Sequence, residues 1–259
     1  MVISMKGYGQ DFNRSPSDMS DFPSEKKEKE IQHKKISLFS PKPSRDTASE
    51  QMEYASLLEK KGKIRKAIRA YDALVRKWHS LPQAPIAQFK MAKLLEERGK
   101  YVAAFDEYQY LIKYFTAGFP YEEVIERQYR IANYIMTRHH WDILGMPGYT
   151  TPEDSLPLWE KILKNAPSYA KAPEIMYTIA SIYEKNGDYE EALTFYMRLR
   201  NEYSTSDFVP EADCGRVRCL YEIARSRPRD EEACRDALSA LTMFIRDYPD
   251  HPVIKEMKE

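Results

Sequence analysis

Glycine and cysteine are scarce in this chain, and no excess of charge of either sign is present. The 259 residues include 9 Gly and 3 Cys, and 40 basic side chains cancel 40 acidic ones. Balanced charge gives no basic footprint for nucleic acid. Long apolar runs are also missing. The longest uncharged stretch, Trp78–Phe89 with His79 counted as neutral, falls far short of the ~18–20 apolar residues that a membrane-spanning helix needs. The opening MVISMKGYGQDFNRS has no apolar segment of the ~7–15 residues of a secretion signal. Cys214, Cys219 and Cys234 show neither the CxxC spacing of a metal site nor the even count of a disulfide framework. They are expected to be small buried side chains on the last helices.

Catalytic signatures are absent as well. No GxGxxG, GxxxxGK[ST], GxSxG or HExxH occurs, and neither an enzyme active site nor a cofactor site is expected. The acidic pairs Glu122–Glu123 and Glu153–Asp154 stand where helix starts favour negative charge. His139 and His140 are adjacent, about 100° apart on a helix, whereas a metal-binding pair needs i, i+4 on one face. No metal site is expected.

What is present is helical repetition. Residues 1–48, rich in Ser and Pro and carrying SEKKEKEIQHKK, lack apolar periodicity and are expected to be a disordered tether. From residue 49 onward, helical segments alternate with Gly, Pro and Asn/Asp turns. APIAQFKMAKLLEERGKYVAAFDEYQYLIKYF, from Ala84, lies without a gap over APEIMYTIASIYEKNGDYEEALTFYMRLRNEY, from Ala172. Identical residues include Ala92/Ala180, Glu96/Glu184, Gly99/Gly187, Tyr101/Tyr189, Ala104/Ala192 and Tyr108/Tyr196. A weaker copy holds Gly62, Ala67 and Tyr71.

Each position has a physical role. Gly ends the first helix in a left-handed turn, and Ala lets the partner helix approach closely. Tyr101 and Tyr189 are expected to wedge between the two helices, and Tyr108 and Tyr196 to pack on the following unit. A period near 34 residues with this small/aromatic pattern resembles tetratricopeptide repeats. The fold expected is an all-α, right-handed superhelical solenoid of about five such helix pairs. The units run at about 49–79, 85–115, 121–167, 173–203 and 210–249, and a partial or capping helix follows. Units three and five are expected to be lengthened by insertions, HHWDILGMPGYT and RSRPRDEE.

The inward flank of each first helix is the candidate binding surface. One position gives Met52, Phe89, Tyr129 and Tyr177; one turn further lie Ser56, Lys93, Asn133 and Ser181. A ladder of Met and aromatics beside polar groups suits an extended peptide in a solenoid's concave face. The same aromatics also suit core between units, and both readings stand at this stage.

FPYEEVIERQYRIAN opening unit three, the insertion within that unit, and YPDHP closing unit five together resemble the BamD family of outer-membrane assembly lipoproteins, over roughly residues 47–259. That resemblance implies a non-catalytic scaffold at the periplasmic face of the outer membrane. It implies two protein partners, the barrel subunit of the assembly machine and unfolded outer-membrane proteins, with no nucleic acid. Membrane contact would come only through a lipid anchor on a Cys preceding this sequence. The groove residues implied are Met52, Phe89, Lys93, Tyr129 and Asn133, and the partner-facing end is units four and five around Asp230–Arg235. The alternative expectation is a general tetratricopeptide-repeat adaptor, such as a cell-envelope division coordinator, or a cytoplasmic adaptor if Met1 is the true start.

Overall fold

The structure, a computed structural model, describes residues 40–137, 140–141, 147–148 and 151–256. Most of the expected tether (1–39) and His139 lie outside the described residues. The described chain is built of helices: α1 (Ala48–Lys60), α2 (Ile64–Lys77), α3 (Gln83–Glu97), α4 (Tyr101–Tyr114), α5 (Tyr121–Thr137), α6 (Leu156–Asn165), α7 (Ala172–Asn186), α8 (Tyr189–Glu202), α9 (Val209–Ser226), α10 (Glu231–Asp247) and α11 (Pro252–Glu256). A 3-10 turn, Pro152–Ser155, leads into α6. Within the unit-three insertion, β1 (His140–Trp141) pairs antiparallel with β2 (Pro147–Gly148). The described residues form two compact units, divided between Met91 and Ala92 inside α3.

In the first unit, Thr47 starts α1 through a capping box. The Glu50 amide donates to Thr47 Oγ1 at 3.2 Å, and the Thr47 amide donates to the Glu50 carboxylate, which satisfies two otherwise orphaned donors. Gly62 then turns the chain at φ 68°, a left-handed conformation that side chains with a Cβ disfavour. α1 packs on α2. The buried Gln51 amide donates to the Ala70 carbonyl at 2.9 Å, a bond between the two helices.

In the second unit, Gly99 and Gly187 repeat the turn at φ 69° and 87°. Packing proceeds along the chain: α4 on α5, α5 on α6, α6 on α7, α7 on α8, α8 on α9 and α9 on α10.

The second helices share one burial pattern, counted back from the C-cap residues Trp78, Phe115, Ala166, Tyr203 and Tyr248. Four residues back stand Leu74, Leu111, Ile162, Leu199 and Phe244, all buried. Seven back stand Tyr71, Tyr108, Trp159 and Tyr196, at most 2% exposed, and then Leu241, which is half-buried. Eleven back stand Ala67, Ala104, Ser155 and Ala192, fully buried, and then Ala237, again half-buried. Three layers are therefore sealed in four pairs, whereas the fifth seals only the first of them.

Three expectations change. The fifth pair carries no long insertion: α9 runs on to Ser226 and α10 begins at Glu231, because RSRPRDEE is absorbed into both helix ends. Asp230 caps α10, accepting from the Glu232 and Ala233 amides at 3.1 Å. Cys214 and Cys219 are buried, but Cys234 is exposed, since it lies on a face of α10 that no helix among the described residues covers. Tyr101 reaches beyond the pair it was expected to wedge into: its ring meets Tyr134 of α5, centroids 4.3 Å apart.

Candidate peptide-binding surface

The first helices α1, α3, α5 and α7 each hold a fully buried alanine at one equivalent position, Ala55, Ala92, Ala132 and Ala180. Three residues before these stand Met52, Phe89, Tyr129 and Tyr177; one residue after stand Ser56, Lys93, Asn133 and Ser181. All eight are therefore at equivalent places beside the buried stripe. Seven are half-buried and Asn133 is exposed.

Their partners differ. In the first unit, Ser56 Oγ lies 3.1 Å from the Tyr71 hydroxyl, which donates to Glu59 Oε2 at 2.5 Å. Lys90 of α3 stands 3.6 Å from the same carboxylate. In the second unit, the Tyr108 hydroxyl donates to Glu96 at 2.8 Å, and Arg127 of α5 binds that carboxylate at 3.0 Å. The Tyr196 hydroxyl donates to Glu184 at 2.6 Å and also bonds to Ser181; Arg218 of α9 grips Glu184 with two nitrogens, at 2.5 and 3.0 Å. So one clamp recurs: a second-helix Tyr, a first-helix Glu, and a cation from the next first helix. Burial and then the carboxylate raise all three phenols well above the ordinary value. Tyr108 and Tyr196, expected to face the following unit, turn their hydroxyls back to their own pair, although the Tyr196 ring also lies under Gly215 of α9. Ser56 and Ser181 serve this clamp.

Tyr129 is the hub of the second unit's surface. Its ring meets Trp159 at 5.3 Å and Tyr169 at 6.1 Å, both edge-on, and Lys171 Nζ stands 4.0 Å over its face. Its hydroxyl donates to Glu174 at 2.7 Å. Beside it, Glu126 accepts from the Tyr169 hydroxyl and from Lys171 at 3.4 Å; these bonds hold its carboxyl below the usual range, with Tyr169 the larger cause. Tyr177 packs between Tyr196 (5.9 Å) and Phe208 (5.7 Å). A cleft of about 480 Å³ opens here, with Lys171 and Glu174 on one wall and Tyr203, Asp207 and Phe208 on the other. The cleft links the surroundings of Tyr129 to those of Tyr177, and offers a flexible cation, carboxylates and aromatic edges.

Lys171, Glu174, Tyr169, Glu126 and Phe208 were missing from the candidate positions. Lys171, Glu174, Tyr169 and Phe208 lie in turns or first helical turns, and Glu126 in the second turn of α5, where the repeat signature has no residue of its own. The clamp glutamates were visible as the Glu96/Glu184 identity, twelve residues before Tyr108/Tyr196. Among the described residues, no three His, Cys, Asp or Glu side chains are grouped as a metal ion would require.

Tetratricopeptide repeat family models match residues 54–122 and 173–199, so these segments are tetratricopeptide repeats, and the described residues are built mainly of helix pairs of this kind. No curated protein matches the chain. Among solved structures it is similar to YrrB, described as a TPR protein with an unusual peptide-binding site, at 15% identity and TM-score 0.35, covering 82% of this chain and 92% of that one. It is similar to a tetratricopeptide repeat protein from Parabacteroides merdae at 14% identity and TM-score 0.34, covering 76% and 73%. MamA from Desulfovibrio magneticus aligns at 13% identity and TM-score 0.31, covering 80% and 98%. The class defined by the repeats is a protein-interaction scaffold.

Proposed function

We propose that this scaffold binds extended polypeptide along the flank of its first helices, in the manner of a BamD-like component of outer-membrane β-barrel assembly. The observation that carries the reading is the recurrence, within one compact unit, of Tyr129 and Tyr177 at equivalent helix positions, with an open cleft lined by Lys171 and Glu174, which contact Tyr129, and by Phe208, which contacts Tyr177. An extended peptide leaves its backbone groups unpaired and needs donors and acceptors at regular intervals. The exposed Asn133 amide and the Lys171 ammonium provide them, and the aromatic edges accommodate apolar side chains. Met52 and Phe89 hold the equivalent position in the remaining pairs. The resemblance of FPYEEVIERQYRIAN and YPDHP to the BamD family supports the barrel-assembly role, the periplasmic location and the two partners named above.

The experiment is fluorescence anisotropy with a labelled ten-residue peptide of alternating apolar and polar residues ending in Phe. Tyr129→Ala should weaken binding about tenfold, and Tyr129→Phe, which keeps the ring and its contacts, should weaken it less. Circular dichroism checks that both variants stay folded. Equal affinity of wild type and Tyr129→Ala would remove the surface assigned here.

A further inference from the structure

We propose that the polypeptide segment taken by the Tyr129 surface carries an arginine, whose guanidinium lies on the Tyr129 ring against Glu126 in the place that Lys171 holds. The inference rests on the peptide-binding reading above and names the side chain that this part of the surface selects.

The occupant of the seat shows what it is built for. Lys171, the residue before α7, sets Nζ 4.0 Å over the Tyr129 ring and 3.4 Å from each Glu126 oxygen. A ring face and a carboxylate both attract a cation, and here they converge on one point. Trp159 and Tyr169 meet the Tyr129 ring edge-on, and its hydroxyl is committed to Glu174. The ring is thus held in place with one face turned to the ammonium. Glu126 stays charged without Lys171. The Tyr169 hydroxyl donates to it and does most to hold its carboxyl below the usual range, while Arg130 stands 3.9 Å away.

Lys171 is weakly held. Its 3.4 Å contacts exceed the roughly 2.7–2.9 Å of a charge-assisted bond, and both side chains are 39% exposed, where an ion pair adds little stability. A guanidinium does better in two respects. Its plane stacks on an aromatic face, and its fork bonds both carboxylate oxygens at once. The way in is the cleft of about 480 Å³, with Lys171 and Glu174 on one wall and the exposed Asp207 on the other. An entering side chain passes between the Glu174 and Asp207 carboxylates, which favours a cation again.

The test uses the full chain and two labelled ten-residue peptides of alternating apolar and polar residues ending in Phe. One carries arginine at a central polar position; the other carries citrulline there, which keeps the shape and loses the charge. The quantity read is the ratio of the two affinities, in which effects on backbone contacts cancel. The wild type should favour arginine about fivefold. Lys171→Gln, which removes the resident competitor and keeps a donor, should raise that ratio at least about threefold further. Glu126→Gln should bring it close to one, with circular dichroism checking the fold. A ratio that Lys171→Gln does not raise, or that survives Glu126→Gln, overturns the inference. In that event the peptide-binding reading is judged separately, by the loss that Tyr129→Ala causes with the citrulline peptide. Failure of the wild type to bind either peptide overturns both.

Discussion

Tyr196→Ala should destabilise the protein by about 3–5 kcal/mol, the usual cost of emptying a buried aromatic site. The Tyr196 ring is 1% exposed and serves two interfaces at once. Its hydroxyl donates to Glu184 within the pair, and its face lies under Gly215 of the next. Tyr196→Phe should cost only about 1 kcal/mol, because Arg218 still satisfies Glu184. Gly215→Ala is the companion variant. A Cβ there would fall 2.4 Å from Tyr196 Cζ, and overpacking of that kind costs about 1–3 kcal/mol. Helix propensity returns about 1 kcal/mol, so the net effect is a loss. In a Tyr196→Leu background, where the side chain matches Leu241 of the last pair, Gly215→Ala should cost nothing further. Guanidinium unfolding of the four chains closes the double-mutant cycle, and additive costs would show that the two residues do not meet.

The second large effect is alkaline sensitivity. Burial, and secondarily the Glu184 charge, pushes the Cys219 thiol from 9.0 up to about 12. Burial and the bond to Asp213 push the Tyr248 phenol up to about 12. The phenols of Tyr71, Tyr108 and Tyr196 are raised further, burial again leading. All are acids whose folded-state values exceed their unfolded ones. Below pH 9 both states hold these protons and the stabilisation is intact. From pH 9 to 12 the unfolded chain releases protons that the folded chain keeps, so stability falls as pH rises, by about 1.4 kcal/mol per pH unit for each group titrating only when unfolded. The guanidinium midpoint should be flat between pH 7 and 8.5 and fall steadily above 9, less steeply in Tyr196→Phe. A flat midpoint to pH 12 would show that these phenols and the thiol are not buried as described.

Much of the architecture was legible because it rests on residues with one physical use. Gly62, Gly99 and Gly187 occupy left-handed turns, and Ala67, Ala104 and Ala192 sit at zero exposure where helices cross. The third and fifth pairs were harder to read. Trp159 and Leu241 stand where the other pairs have Tyr, so a search for the tyrosine signature passes over them. The equivalence emerges only when residues are counted back from the helix ends.

The candidate surface divides in the same way. Periodicity put Tyr129, Asn133, Tyr177 and Ser181 at equivalent places beside the buried alanines. It could not show that Ser56 and Ser181 bond to a second-helix tyrosine, nor that Lys171 and Glu174 close on Tyr129, because those contacts join residues far apart in sequence. Nor could composition distinguish Cys234 from its two buried counterparts, a difference that depends on which face of α10 is covered.

The most direct measurement is site-specific photo-crosslinking in the protein's own cells, with a photoreactive residue at the exposed position 133 in α5 and, as control, at the exposed position 191 in α8. The account predicts adducts at 133, absent at 191, whose trapped partners are unfolded outer-membrane barrel chains. Equal yields at the two positions, or adducts at 133 with folded cytoplasmic proteins alone, would contradict it.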